Sequence, residues 1–224
     1  MSRPLLILRP EPGASRTAQA AAALGLETTC YPLFMTTPIP WTGPEPHLVD
    51  AVMFTSANGA RHAGPQLDRY RHLPAYAVGE ATADAVRAAG FAQVHVGHRG
   101  VQELAGIIAA DNHAWVLHIS GRDIRTFDPG PLRVTSASVY VSVESGHAAA
   151  LAPYLAAGTL ILIHSPRAGE RLAELAPLSA RAALHIAAIS PAALAAAGDG
   201  WGSAHAADRP DDAALLALAA GLCE

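Results

Sequence analysis

Short apolar runs alternate along this chain with longer Ala-rich stretches whose apolar residues recur at helical spacing. The short runs predict strands at Leu5–Leu8, Glu27–Tyr31, Val52–Thr55, Ala75–Val78, Gln93–Val96, Trp115–Ser120, Ser136–Val143, Leu160–His164, Leu184–Ile189 and Gly202–Ala206. Helices fill the gaps, as in "SRTAQAAAALG", "ATADAVRAAG", "VQELAGIIAA", "RAGERLAELA", "PAALAAAG" and "DDAALLALAAG". Several end in Gly, the residue suited to a left-handed position just past a helix. This alternation is that of an α/β fold with mostly parallel sheets. One corner stands out: "FTSANGAR", Phe54 to Arg61, leaves the apolar "AVMF" and enters a helix, a place where backbone N–H groups can be aimed at an anion.

The same order of motifs occurs twice. "LILRP" at Leu6 matches "LHISG" at Leu117, an offset of 111, and Tyr31 in "TCYPL" matches Tyr140 in "SVYVS", an offset of 109. Ser56 in "FTSANGAR" matches Ser165 in "IHSPRAGE" at 109, "YAVGEATA" matches "AAISPAAL" at 111, and "QVHVG" matches "SAHAA" at 110. Five weak matches in one order at nearly one offset predict two similar α/β units of about half the chain each. The corner at Ser56 then has a twin at Ser165. Open parallel sheets bind ligands at the carboxyl ends of their strands, so paired corners suggest one ligand held in a cleft between two domains.

Composition narrows the chemistry. About half of the 224 residues are apolar and 15% are charged, as in an ordinary globular protein. All fifteen basic residues are Arg, which excludes a Walker A phosphate loop and lysine Schiff-base chemistry and reads as high-GC coding of bacterial type. A net charge of −4 argues against nucleic acid as partner, so an anionic ligand must meet local Arg and backbone N–H groups. Cys30 and Cys223 lie far apart and read as free thiols of a reducing cytoplasm. The start "MSRPLLILRPEPG" is too short in apolar residues for a signal peptide, and the uncharged run Ala182–Gly198 is broken by "SP", so no membrane partner is expected. None of the eleven His residues makes an H-E-x-x-H pattern, and His95, His118, His164 and His185 fall in different strands, so they read as structural rather than metal-binding. "GDGWG" leads into a strand rather than a helix and is no dinucleotide loop.

The segments "LLILRPEPGASRTAQAAAALGLETTCYPL", "MFTSANGA", "AYAVGEATADAVRAAG", "LHISGRDIR", "ASVYVSVES" and "ILIHSPRAGERLAEL" resemble, in order and over nearly the whole chain, the motifs of uroporphyrinogen-III synthases. The resemblance implies a fold of two similar three-layer domains. The first is discontinuous, residues 1–33 plus 145–224, and the second spans 41–133. Two linker strands join them, 34–40 and 134–144, with the ligand cleft between. With no exposed repeat or heptad asking for a partner, a cytoplasmic monomer is expected; the resemblance implies that it acts, without metal or cofactor, on hydroxymethylbilane, a linear tetrapyrrole with eight carboxylates. Loss of water closes the macrocycle with the last pyrrole ring inverted. Closure without inversion happens unaided, so the enzyme's task is chiefly to hold ring D over the right carbon.

Such a task calls for anion-binding groups. The resemblance places substrate contacts at Arg9, Thr55, Ser56, Asn58, Gly79, Thr82, Gly121, Ser165, Arg167 and Ser190. Ser56, Thr82, Ser165 and Ser190 read equally well as plain helix caps, and a cap can sit beside a bound carboxylate. For Arg9 and Arg167 the alternative is a solvated surface role. Tyr140 matches the tyrosine of the returning linker, where a phenol could give a proton to the departing hydroxyl; a ring packed in the strand is the other reading. One departure stands out: "SPAA" puts Ala192 and Ala193 where the family carries hydroxyl residues, while "GEAT" keeps Thr82. That leaves open a non-catalytic two-domain binding or regulatory module built on the same fold.

Overall fold

The apolar runs become the strands of two sheets. The computed structural model describes residues 3–124 and 126–223; the outermost ends of the expected first domain, residues 1, 2 and 224, lie outside the described residues. In chain order come β1 (Leu5–Ile7), α1 (Gly13–Ala23), β2 (Thr28–Cys30) and β3 (Phe34–Pro38). Next are β4 (Ala51–Phe54), α2 (Ala57–His62), β5 (Ala75–Val78), α3 (Glu80–Ala88), β6 (Val94–Gly97), α4 (Val101–Ala110) and β7 (Trp115–Gly121). The long strand β8 (Arg133–Glu144) follows, then α5 (Ala148–Leu151), β9 (Leu160–Ile163), α6 (Pro166–Leu175) and α7 (Leu178–Arg181). The chain closes with β10 (His185–Ala188), α8 (Pro191–Ala196), β11 (Ser203–Ala206) and α9 (Asp212–Cys223). Gly25 and Gly90 follow α1 and α3 with φ of 75° and 97°, the left-handed conformation that ends a helix.

The elements form two units, Met1–Met35 with Val143–Glu224, and Thr36–Ser142. The chain passes between them inside β3 and β8. The first unit has a five-stranded sheet in the order β11-β10-β9-β1-β2, with every neighbouring pair parallel. The second has the order β3-β8-β7-β4-β5-β6, parallel from β8 through β6, with β3 added at its edge. Helices cover both faces of each sheet, which is why the strands read as unbroken apolar runs such as "LLI", "AVMF" and "LILI".

The repeat explains the strand orders. The motif matches equate β1 with β7, β2 with β8, β4 with β9, β5 with β10 and β6 with β11. Applied to β2-β1-β9-β10-β11, they give β8-β7-β4-β5-β6, the order observed. Register follows too: Leu6 pairs with Ile161, and their counterparts Leu117 and Val52 pair with each other. Each unit therefore joins the first two strands of one copy to the last three of the other. In both, the place where strand order reverses is the seam between copies, β1 against β9 and β7 against β4.

Each unit has a core on either side of its sheet. In the first, Leu6, Ile161, Ile163 and Ile186 pack with Leu172 and Ala193 of α6 and α8, while Leu5, Ile7 and Leu162 pack with Ala14, Ala21, Leu215 and Leu216 of α1 and α9. In the second, Val52, Phe54, Leu117 and Ile119 pack with Ala60, Ala83 and Val86 of α2 and α3, while Met53, Tyr76 and Val116 pack with Leu104 and Ile108 of α4. Helices α6 and α8 touch through backbone: a Cβ on Gly169 would lie 2.7 Å from the Ala193 carbonyl oxygen. Gly169→Ala should therefore destabilise by about 1–3 kcal/mol, as overpacking does. Gly106→Ala, on open helix surface, should stabilise by up to about 1 kcal/mol. Urea unfolding of both variants checks the pair.

Candidate active site

In the second unit, the carboxyl ends of β4, β5 and β7 meet the amino ends of α2, α3 and α4 and the connection from β7 to β8. A cavity of about 330 Å³ opens there. Its polar lining comes from Thr55, Ser56, His118, Asp123 and Tyr140, and its apolar lining from Val78, Val101, Ile124 and Phe127, with Gly121 between. Ser56 has extended backbone, and its hydroxyl accepts from the Asn58 N–H at 3.2 Å, capping α2. Gly79, with φ of 75°, precedes α3, where Thr82 is buried.

Tyr140 owes its place to a local irregularity. Ser120 pairs with Ser138, but Gly121 pairs with Tyr140, so β8 carries one extra residue there and the strand is re-aimed. The phenol ring then lies across Gly121: a Cβ on that glycine would come 2.8 Å from the ring. The Arg122 N–H donates to the Tyr140 carbonyl at 2.8 Å and locks the corner, while the His62 ring packs 5.7 Å from the phenol ring. Among the described residues none takes up the Tyr140 hydroxyl in a hydrogen bond.

His118 is the buried polar centre of this cavity. It is 1% exposed, and burial holds its imidazole down to about 4, so it is neutral at neutral pH. Its Nε2 lies 3.0 Å from the Thr55 hydroxyl and its Nδ1 3.5 Å from the Ser136 hydroxyl, with Phe127 packed edge-on at 5.9 Å.

The corresponding corner of the first unit is built differently. Ser165 and Ser190 cap α6 and α8, accepting from the N–H of Ala168 at 3.2 Å and of Ala193 at 3.3 Å. Arg9 donates to both carboxylate oxygens of Asp212 at 2.7 Å and to the Thr17 hydroxyl at 3.1 Å, and Thr17 donates to Asp212 at 2.9 Å. A Cβ on Gly13 would lie 2.5 Å from the Arg9 Nε, so glycine leaves room for the guanidinium. His164 stands 3.5 Å from Asp212, and burial together with the Arg9 charge lowers it to about 4. Arg167 lies over the Phe34 ring at 4.3 Å. Tyr31, the counterpart of Tyr140, packs against Tyr154 with ring centres 5.1 Å apart and planes tilted by 39°.

The cavity thus gathers Thr55, Ser56, Gly121 and Tyr140 of the expected residues; Asn58, Gly79 and Thr82 flank it on α2 and α3. Arg9, Ser165, Arg167 and Ser190 belong to the first unit, where Arg9 already holds a carboxylate of the chain. Among the described residues, no three His, Cys, Asp or Glu side chains are grouped to hold a metal ion, and no helix is long and apolar enough to cross a membrane.

The sequence model of the uroporphyrinogen-III synthase HemD family matches residues 15–217. The chain belongs to that family. Its enzyme class follows: uroporphyrinogen-III synthases are cyclising lyases of tetrapyrrole biosynthesis. Among solved structures, the uroporphyrinogen-III synthetase of Helicobacter pylori is similar over 98% of this chain and 99% of its own, with 18% identity and a TM-score of 0.68, a likeness of fold. A mutant uroporphyrinogen III synthase of Thermus thermophilus aligns over 99% of this chain and 98% of its own at 16% identity, with a TM-score of 0.49. No curated protein matches the chain at a significant level.

The structural histidine expected at 118 has hydroxyl partners on both ring nitrogens and also lines the cavity, while Asp123 and Phe127 join the lining with no motif to mark them in the sequence. The repeat carried the missing signal for His118, because its counterpart is Ile7, an apolar residue at the same place in the other sheet.

Burial of neutral His118 makes stability depend on acid. The folded value near 4 lies below the unfolded value near 6.5. Stability is therefore complete above about pH 6.5 and falls as pH drops toward 4, because the unfolded chain binds the proton that the folded chain refuses. Between pH 7.5 and 5 the His118 share of this loss is about 2 kcal/mol. Urea midpoints at the two pH values should differ less in His118→Gln than in the parent chain.

Proposed function

We propose that this chain closes hydroxymethylbilane into uroporphyrinogen III through the cavity of the second unit, with Tyr140 as proton donor. The observation that carries the reading is the phenol set across Gly121 on the wall of a mixed apolar and polar cavity, its hydroxyl untaken by the described residues. The Tyr140 O–H gives its proton to the substrate's terminal hydroxyl, which leaves as water, and the electron-rich pyrrole accommodates the positive charge left behind. Ring D then attacks through its substituted carbon, and rearrangement of the spirocyclic product releases a proton that returns to the phenolate. Val78, Val101, Ile124 and Phe127 supply apolar surface for a pyrrole face and keep water from the reacting carbon. The chemistry asks for no redox or group-carrying cofactor.

Substrate carboxylates fall to the capped corners and to hydroxyls. Thr55, Ser56, Asn58, Gly79, Thr82 and Gly121 serve in the second unit; Ser165, Arg167 and Ser190 serve in the first. Arg9 joins them by exchanging Asp212 for a substrate carboxylate. The protein acts as a monomer in the cytoplasm, in keeping with its two unpaired cysteines.

Fresh hydroxymethylbilane given to the purified chain should yield the type III isomer, resolved from type I by chromatography after oxidation. Only type I, formed at the spontaneous rate, would return the protein to the class of binding modules that "SPAA" suggests. Tyr140→Phe should lower kcat by about 10²-fold or more, the usual worth of a positioned acid. Gly121→Ala, which forces the ring aside, should lower kcat in the same direction while the fold persists by circular dichroism.

A further inference from the structure

A central strand of a parallel sheet covered on both faces has no structural need for an imidazole. The repeat provides an internal control. His118 corresponds to Ile7, which is fully buried in an apolar cluster with Leu5, Leu162, Ala187 and Leu215. Thr55 corresponds to His164, which faces Asp212. The Thr55–His118 pair therefore belongs to the second unit alone, and it lies on the wall of the cavity. An apolar residue at 118 would satisfy the sheet, as Ile7 does, and burying a polar ring unfavourably calls for another reason.

The reason is found in the hydroxyl beside it. A threonine hydroxyl can donate or accept, and its rotor is set by its partner. A neutral imidazole offers one N–H and one lone pair, so the tautomer decides which role Thr55 plays toward the cavity. Were Thr55 to donate to Nε2, only lone pairs would face an incoming carboxylate. If Nε2–H donates to Thr55 Oγ1 instead, the Thr55 proton is released for the ligand, and the Ser136 hydroxyl donates to Nδ1 to hold that tautomer.

We propose that His118 is a positioning residue: it holds Thr55 as a hydrogen-bond donor aimed into the cavity at a carboxylate of the tetrapyrrole substrate. The assignment rests on the reading of this cavity as the substrate site. It also explains the choice of a neutral group. A charged donor here would have to be desolvated at the sheet seam, whereas a Ser136–His118–Thr55 relay delivers a directed proton with no net charge.

Two readouts test this. Long-range proton–nitrogen spectra of the full chain should show His118 protonated at Nε2 and unprotonated at Nδ1, unchanged between pH 6 and pH 8; the opposite tautomer overturns the proposal whatever the enzyme does. In the cyclisation assay, Thr55→Val and His118→Phe should each raise KM about tenfold, the scale of one lost hydrogen bond to a charged group. Turnover at saturation should change far less. The double variant should be little worse than either single, since one relay is removed once. Thr55→Ser, which restores a hydroxyl, should bind more tightly than Thr55→Val. An unchanged KM in Thr55→Val, or a loss confined to kcat, overturns the proposal, and Thr55→Val serves alone if His118→Phe does not fold. If the parent chain makes only type I isomer, the substrate reading fails by itself and the tautomer spectrum still decides the relay.

Discussion

Parallel pairing across the seam between two copies of one motif set is the constraint on which the rest of this structure depends. β1 can be covered on both sides only by β2 from its own copy and β9 from the other, and β7 only by β8 and β4. Each unit's sheet is completed by strands far away in sequence, drawn from both copies. The chain must pass out of the first unit and return, which it does inside β3 and β8. The reversal of strand order at each seam splays the flanking connections apart, and that separation leaves room for a ligand at the carboxyl edge.

The two units use the same seam in different ways. In the first, Arg9, Asp212, Thr17 and His164 fill the corner with an internal carboxylate and its donors. In the second, the corresponding place is walled by His118, hydroxyl groups, Asp123 and apolar side chains around a cavity. Substitution at a few twin positions accounts for the difference. Ile7 against His118, Thr55 against His164 and Pro10 against Gly121 change what the corner holds while the register of the sheets stays the same. Fold and site are thus separable: the shared apolar positions maintain the sheets, and the unshared polar ones line the cavity of the second unit.

Much of this was legible beforehand. Every strand of the sequence reading is present within a few residues, since "AVMF" or "LILI" has to be buried on both faces and can be little else. The capping serines were legible because a hydroxyl at a strand-to-helix corner has one obvious backbone partner. What escaped was set by neighbours remote in sequence. The extra residue of β8 opposite Gly121 cannot be found without knowing that β7 and β8 pair, and His118 next to Thr55 depends on β4 lying beside β7. The extent of β8, from Arg133 rather than Ser136, likewise reflects pairing with Trp115 at its start.

By itself, then, the sequence determined the α/β class, the twofold repeat, the capped corners and the family, because each is a local pattern of burial or hydrogen bonding repeated along the chain. Only the tertiary structure decided what each twin corner holds. The same local motifs are present at both, and the choice depends on side chains brought together across a seam: Asp212 reaching Arg9 in one unit, His118 meeting Thr55 in the other. Contacts between residues 63 or 203 positions apart leave no periodicity to read. They arise only when the sheets close and bring distant strands side by side.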